Sequence, residues 1–252
     1  MKWPAWLHAT SLWHASHYVL LSALLFAGLE LMFSIRQWVW ALGCILITLL
    51  VVGNILLRFE ERHNFEIKQA ILPTLTATGF ASFILFLPVT PLLHFYFIFV
   101  SVLFFFILKH AARQAYPNWN WAISTVVFFL NVASVLGWRY YLYSPIPMIL
   151  VLIWTISWLL LWQALGRLNI PLGSAFLIAS GAGLGLAEAA WVIQFLPLTH
   201  LAQAGVIAVL YYVIFHLVTL SFRRSLTRRD LVEYGTVSLV ALGIILMSSP
   251  WM

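Results

Sequence analysis

Nine long apolar runs leave this chain almost no choice of environment. They cover about residues 15–35, 37–57, 69–89, 92–109, 119–138, 148–166, 173–196, 200–222 and 229–248 of 252. A helix crossing about 30 Å of hydrocarbon needs roughly 20 mostly apolar residues, and the runs match that length. None alternates apolar and polar residues with the period of two that a membrane barrel strand requires. Only 8% of the residues are charged and 63% are apolar, against about 25% and 45–50% in an average soluble domain. A soluble globular domain, a disordered chain and a nucleic-acid-binding domain are excluded. The net charge of +6 resides in short gaps between apolar runs, not on a basic face. The expected fold class is all-α, a polytopic transmembrane bundle of about nine spans.

Turn signals separate the runs. They are Thr90-Pro91, Tyr116-Pro117-Asn118, Ser144-Pro145-Ile146-Pro147, Pro171-Leu172-Gly173 and Leu196-Pro197. The gaps are mostly under ten residues, too short for a soluble insertion, so residues 15–252 read as a single transmembrane domain. Residues 1–14 hold Trp3, Trp6 and Trp13 with His8 and His14. Indole rings settle at headgroup level, so this stretch reads as an interfacial N-terminal segment. The run that follows is too long for a signal-peptide core and lacks a small-x-small cleavage pattern.

Lysine and arginine set the orientation. Eleven of them (Lys2, Arg58, Arg62, Lys68, Lys109, Arg113, Arg167, Arg223, Arg224, Arg228 and Arg229) fall in gaps on the N-terminal side of the bundle. Only Arg36 and Arg139 fall on the other side. The positive-inside rule then places the N-terminus in the cytoplasm and, with nine spans, the C-terminus outside. The four arginines between the eighth and ninth runs, Arg223, Arg224, Arg228 and Arg229, are candidates for anionic lipid headgroups, each contributing about 1 kcal/mol near a charged leaflet. Thr227 followed by Asp230 forms a capping box, so the ninth helix is expected to start near Arg228.

The seventh run carries two interleaved small-residue ladders. Ala175, Ala179, Gly183 and Ala187 form one; Gly181, Gly185 and Ala189 form the other. Small residues four apart let helix backbones approach closely, so this helix is expected at the centre of the bundle. Glu188 lies in it, Glu30 lies in the first run, and Asn131 lies in the fifth. At 1.5 Å per residue all three fall at one depth, about 8–12 Å below the outer surface. Ionisable groups inside spans are expensive and default to a functional hypothesis. Glu188, Glu30 and Asn131, with Trp191 one turn beyond Glu188, are therefore the candidate substrate- or proton-binding set, with Glu188 expected to face the interior.

Other chemistries are poorly served. A single cysteine, Cys44, allows neither an intramolecular disulfide nor a thiolate cluster. His216 has no second histidine at its depth to make an axial pair. Lys109 sits at a helix end, not mid-span where a retinal Schiff base would need it. No metal and no cofactor are expected, and no HExxH or Gly-x-Ser-x-Gly motif is present.

The segment Ala187-Glu-Ala-Ala-Trp191-Val-Ile-Gln-Phe-Leu-Pro197, the pair Tyr211-Tyr212, the stretch Leu226 to Tyr234 and the terminal Pro250-Trp251 carry a resemblance. Together they resemble a family of uncharacterised bacterial multi-pass membrane proteins. The resemblance covers the C-terminal third of the chain. It implies a bacterial inner membrane and transfers no catalytic residue. Two functional classes follow. One is a small transporter or permease-like subunit with a polar layer in its outer half. The other is a membrane-embedded enzyme, or a non-catalytic structural subunit, working on or with lipid-linked substrates. The expected partners are membrane lipids and either a membrane protein or a second copy, and no nucleic acid.

Overall fold

The computed structural model describes residues 6–35, 39–61, 68–86, 92–113, 120–168, 170–223 and 226–249. Nine α-helices occupy them: α1 Trp6–Ser34, α2 Val39–Glu61, α3 Lys68–Phe83, α4 Leu92–Arg113, α5 Asn120–Leu142, α6 Ile146–Leu165, α7 Leu172–Ile193, α8 His200–Arg223 and α9 Arg228–Ser248. Each coincides with one apolar run, and no strand occurs among the described residues. Hydrocarbon offers no partner to a backbone N–H or C=O, and a helix satisfies both within itself. Six helices are long and apolar enough to cross a membrane: α1, from His17 onward, and α5 to α9. The apolar stretches of the other three, Gly43–Gly53, Ala70–Phe86 and Leu93–Lys109, are shorter over the described residues. In α3 the cause is visible. Its 16 α-helical residues include Pro73 and give way to a 3-10 turn at Ile84–Phe86.

The first helix is continuous from Trp6 to Ser34, with no break where the interfacial segment was expected to end. The turn signals at Thr90-Pro91 and at Tyr116-Pro117 with Asn118 lie outside the described residues.

The helices group into two compact units, Met1–Pro117 and Asn118–Met252. In the first, α1 packs on α2, α2 on α3, α3 on α4, and α4 back on α1. Short connections make sequential helices antiparallel, which gives a four-helix ring. Leu21, Leu25, Leu29 and Met32 of α1 point into it at helical spacing, and Phe97, Val100, Phe104 and Ile107 of α4 face the same core. Gly28 lies against Leu46, and Gly53 against Leu21, so α1 and α2 cross where glycine makes room.

In the second unit α8 is the hub, touching α5, α6, α7 and α9. Its strongest contact is with α5. There Phe128 stacks on Tyr211 at 4.1 Å between ring centroids, and the Tyr211 hydroxyl shares a 2.7 Å hydrogen bond with Ser124. Tyr211 is fully buried, so that bond is what makes a phenol tolerable there. Helix α9 opens on the expected capping box. The Thr227 side chain accepts from the Asp230 N–H, and the Asp230 carboxylate accepts from the Thr227 N–H.

Helices α6 and α7 form the closest pair. Trp154, Trp158 and Trp162 stack four residues apart along α6, their centroids 6.0 and 5.9 Å from one another. The Trp154 indole N–H donates to the Ser180 carbonyl of α7 at 3.2 Å, and Phe176 meets the Trp158 ring edge-on. Ala175, Ala179, Gly183 and Ala187 are all buried, so this ladder packs as expected. A Cβ at Gly183 would lie 3.1 Å from the Trp154 carbonyl oxygen and 3.2 Å from the Trp158 nitrogen. The other ladder does not pack: Gly181 and Gly185 are exposed, with nothing within 4 Å of either Cβ position. The helix is thus two-faced. The expectation that both ladders draw it into the centre is corrected by the tryptophan face of α6, which takes only one.

The two ladders therefore separate under mutation. Gly183→Leu overpacks the α6–α7 contact and should cost about 1–3 kcal/mol, or about 2–12 °C in Tm for a chain of this size. Gly181→Leu and Gly185→Leu should melt within about 2 °C of the parent. Thermal unfolding of the three detergent-solubilised variants checks this, and equal losses at all three positions would contradict the docking face.

Candidate functional site

The polar residues singled out by depth take up different environments. Glu30 lies in the first unit, near the end of α1. Its Oε1 is 2.8 Å from Nδ1 of His94 at the start of α4. The Glu30 side chain is 27% exposed and that of His94 52%, so the pair is open to exchange at its edge. Phe33 and Phe97 flank the imidazole with edge-to-face contacts. His94 was not identified from the sequence. It could have been: it stands three residues inside the fourth run, at the end where Glu30 lies, and the depth arithmetic applied to histidine brings the two together.

Asn131 and Glu188 belong to the second unit. Asn131 is buried in α5 and donates through Nδ2 to the Val127 carbonyl at 2.8 Å. Glu188 is exposed on α7, on the side opposite Ala179, Gly183 and Ala190, which are buried. It lies five residues, about 8 Å, inside the end of that helix at Ile193. One residue is held inside its unit and the other is displayed outward. Trp191 is half exposed on the same helix, with Phe195 edge-on at 6.3 Å. Gly181, Gly185 and Glu188, with Leu177 and Val192, make one exposed strip along α7.

A second polar assembly, absent from the sequence reading, closes the same end of the unit. Gln203 of α8 is fully buried. Its Nε2 donates to the Tyr140 hydroxyl at 3.0 Å and to the Leu196 carbonyl at 3.2 Å. Tyr140 in turn donates to the Leu198 carbonyl at 3.1 Å. Two side chains thus satisfy the carbonyls of the Leu196-Pro197-Leu198 turn, which proline prevents from continuing as helix. At the neighbouring turn Tyr143 adopts φ 53°, ending α5. Arg139 donates to the Ser144 carbonyl at 3.3 Å.

At the opposite end Arg228 and Arg229 are exposed in the first turn of α9. Arg224 lies outside the described residues, as does the side chain of Arg223, the last residue of α8. His216 of α8 sits among aromatic rings, stacked on Tyr234 at 4.6 Å and met by Trp121 at 5.2 Å and Tyr212 at 4.5 Å. Cys44 is exposed on α2. Among the described residues no group of three His, Cys, Asp or Glu side chains is placed to hold a metal ion.

The chain belongs to a family of proteins of unknown function, DUF5656, whose model matches residues 52–248. The match takes in most of the chain, well beyond the C-terminal third to which the resemblance was confined. No curated protein and no solved structure matches the chain.

Proposed function

We propose that this member of the DUF5656 family is a subunit of a membrane assembly and that α7 is where a second membrane polypeptide docks. The observation that carries the reading is the outward placement of Glu188 beside Gly181 and Gly185, which have open space around them. A carboxyl group against acyl chains has no hydrogen-bond partner, and its burial there costs several kcal/mol even when protonated. A helix bearing a donor side chain, laid along the glycines, removes that cost and gains close backbone contact. A permease-like path or a lipid-acting enzyme needs its polar groups to converge. Asn131 is turned into its unit and Glu188 away from it, which favours the subunit reading over both. The partner of this strip is another polypeptide with a basic or amide side chain at the depth of Glu188.

The proposed setting is a bacterial inner membrane with the N-terminus in the cytoplasm and the C-terminus outside. Support comes from eleven basic residues on one side against two on the other. The exposed Arg228 and Arg229, with Arg223 and Arg224 beside them in sequence, would then face the anionic leaflet. In intact cells an impermeant thiol reagent should label a cysteine at Tyr143 and spare those at Arg62 and Arg224. Labelling at Arg224 from outside would reverse the orientation.

Docking is tested by a photo-crosslinking residue placed at Leu177 or Val192, which flank the glycines on the same exposed strip, in the full chain in its native membrane. The expected result is one discrete adduct to a different polypeptide, kept in Glu188→Gln and lost in Glu188→Leu. No adduct, an adduct of twice the chain mass, or equal yield from a probe at Val237 on α9 would overturn the reading.

A further inference from the structure

A groove of about 500 Å³ runs along the second unit between α5, α8 and α9. Its walls are apolar over most of their length, with Phe129 on α5, Ala202 and Ala208 on α8 and Ile245 on α9. Gly205 keeps it open from below: a Cβ there would meet Ile245 at 3.2 Å, so α8 and α9 stay close without filling the channel. From Thr199 to Ala208 the groove follows α8 for nine residues, about 14 Å at 1.5 Å per residue. That is roughly half of the ~30 Å hydrocarbon thickness, the depth of one leaflet.

The chemistry changes at one end. There the groove is lined by Thr199, Ser248 and Ser249. Ser249 is 8% exposed, and its Oγ is buried with no hydrogen-bond partner. A buried hydroxyl left without a partner costs about 1–3 kcal/mol, so its persistence here calls for an acceptor from outside the chain. The Ser248 hydroxyl is already spent on the Ile245 carbonyl. Thr199 accepts from the Ala202 N–H at 3.3 Å, which occupies its oxygen and leaves its own hydrogen to donate. The groove therefore offers an apolar channel one leaflet deep that ends in hydroxyl donors.

We infer that this groove is a retained-lipid site, holding one acyl chain of a glycerolipid with its ester carbonyl oxygen accepting from the Ser249 hydroxyl. Away from that end the one hydroxyl in the lining, that of Thr125, already donates to the Trp121 carbonyl, so the channel offers an acyl chain an apolar path. Its donors sit where the ester of a lipid in that leaflet comes to rest, at the ends of α8 and α9. A bare hydrocarbon would leave the Ser249 hydroxyl unpaired. The site lies on different helices from the α7 strip and does not depend on the docking proposed there.

The test is native mass spectrometry of the full chain released from nanodiscs of dioleoylphosphatidylcholine, with free oleate as a second arm. The parent should keep one phospholipid per chain at collision energies that strip the surrounding lipid. Filling the groove with Ala202→Phe, or from its exposed edge with Val126→Trp, should lower the bound fraction at least tenfold. Ser249→Ala should lower it about fivefold, and Ser249→Thr should retain it. A chain carrying no phospholipid of fixed stoichiometry has only annular lipid, which overturns the site. So does unchanged retention in Val126→Trp and Ser249→Ala, both of which leave the packed faces untouched. Retention of oleate in place of the phospholipid would overturn the ester contact.

Discussion

Hydrocarbon does not push helices together. In water apolar faces associate because the solvent rejects them; among acyl chains that drive disappears, and what remains is how closely two helices approach and which polar groups they share. The contact of Gly183 with the backbone of α6 is the clearest case here. A helix with any side chain at that position would stand off, and with it would go the bond from Trp154 to the Ser180 carbonyl and the edge contact of Phe176 on Trp158. The stacked tryptophans give α6 a broad, stiff surface, and one small-residue ladder of α7 fits it. Everything on the opposite face of α7, Glu188 included, follows from that choice.

The same scarcity of partners explains the hydroxyl groups. Ser22, Thr76, Ser101, Ser134 and Ser157 each bond the carbonyl one turn earlier in their own helix. Those bonds satisfy the side chain locally and commit it to nothing beyond its helix. The polar groups that reach between helices are fewer and more informative. Tyr211 with Ser124 ties α8 to α5, Gln203 with Tyr140 ties α8 to the end of α5 and to the proline turn, and Glu30 with His94 ties α1 to α4. Ser249 belongs to neither group, and for that reason its groove stands out among the apolar surfaces.

Much of the architecture was readable in the residues because span length and loop chemistry are local. The run at 148–166 became Ile146–Leu165, and Thr227 with Asp230 placed the start of α9 at Arg228. The reading stopped where a choice depended on a neighbour. Gly181 and Gly183 are the same residue type in the same helix, and their spacings to other small residues are equally good. Only the tryptophan face of α6 distinguishes them, and it lies about 25 residues away in the chain. Depth alone placed Glu188 with Asn131, but depth carries no azimuth: a shift of a few residues along a helix turns a side chain from inside to outside. His94 and Gln203 escaped notice for another reason. Both stand near helix ends, where a polar residue in an apolar run looks like a boundary and not a contact.

The two-faced character of α7 supports both the packing of the second unit and the proposed docking, and it can be measured directly. Spin labels placed singly from Ala175 to Val192, in the full chain reconstituted alone in nanodiscs, report collision with dissolved oxygen residue by residue. Accessibility should oscillate with a helical period, with minima at Ala175, Ala179, Gly183 and Ala187 and maxima at Leu177, Gly181, Gly185 and Glu188. Minima at Gly181 and Gly185, or protection all round the helix, would contradict the account.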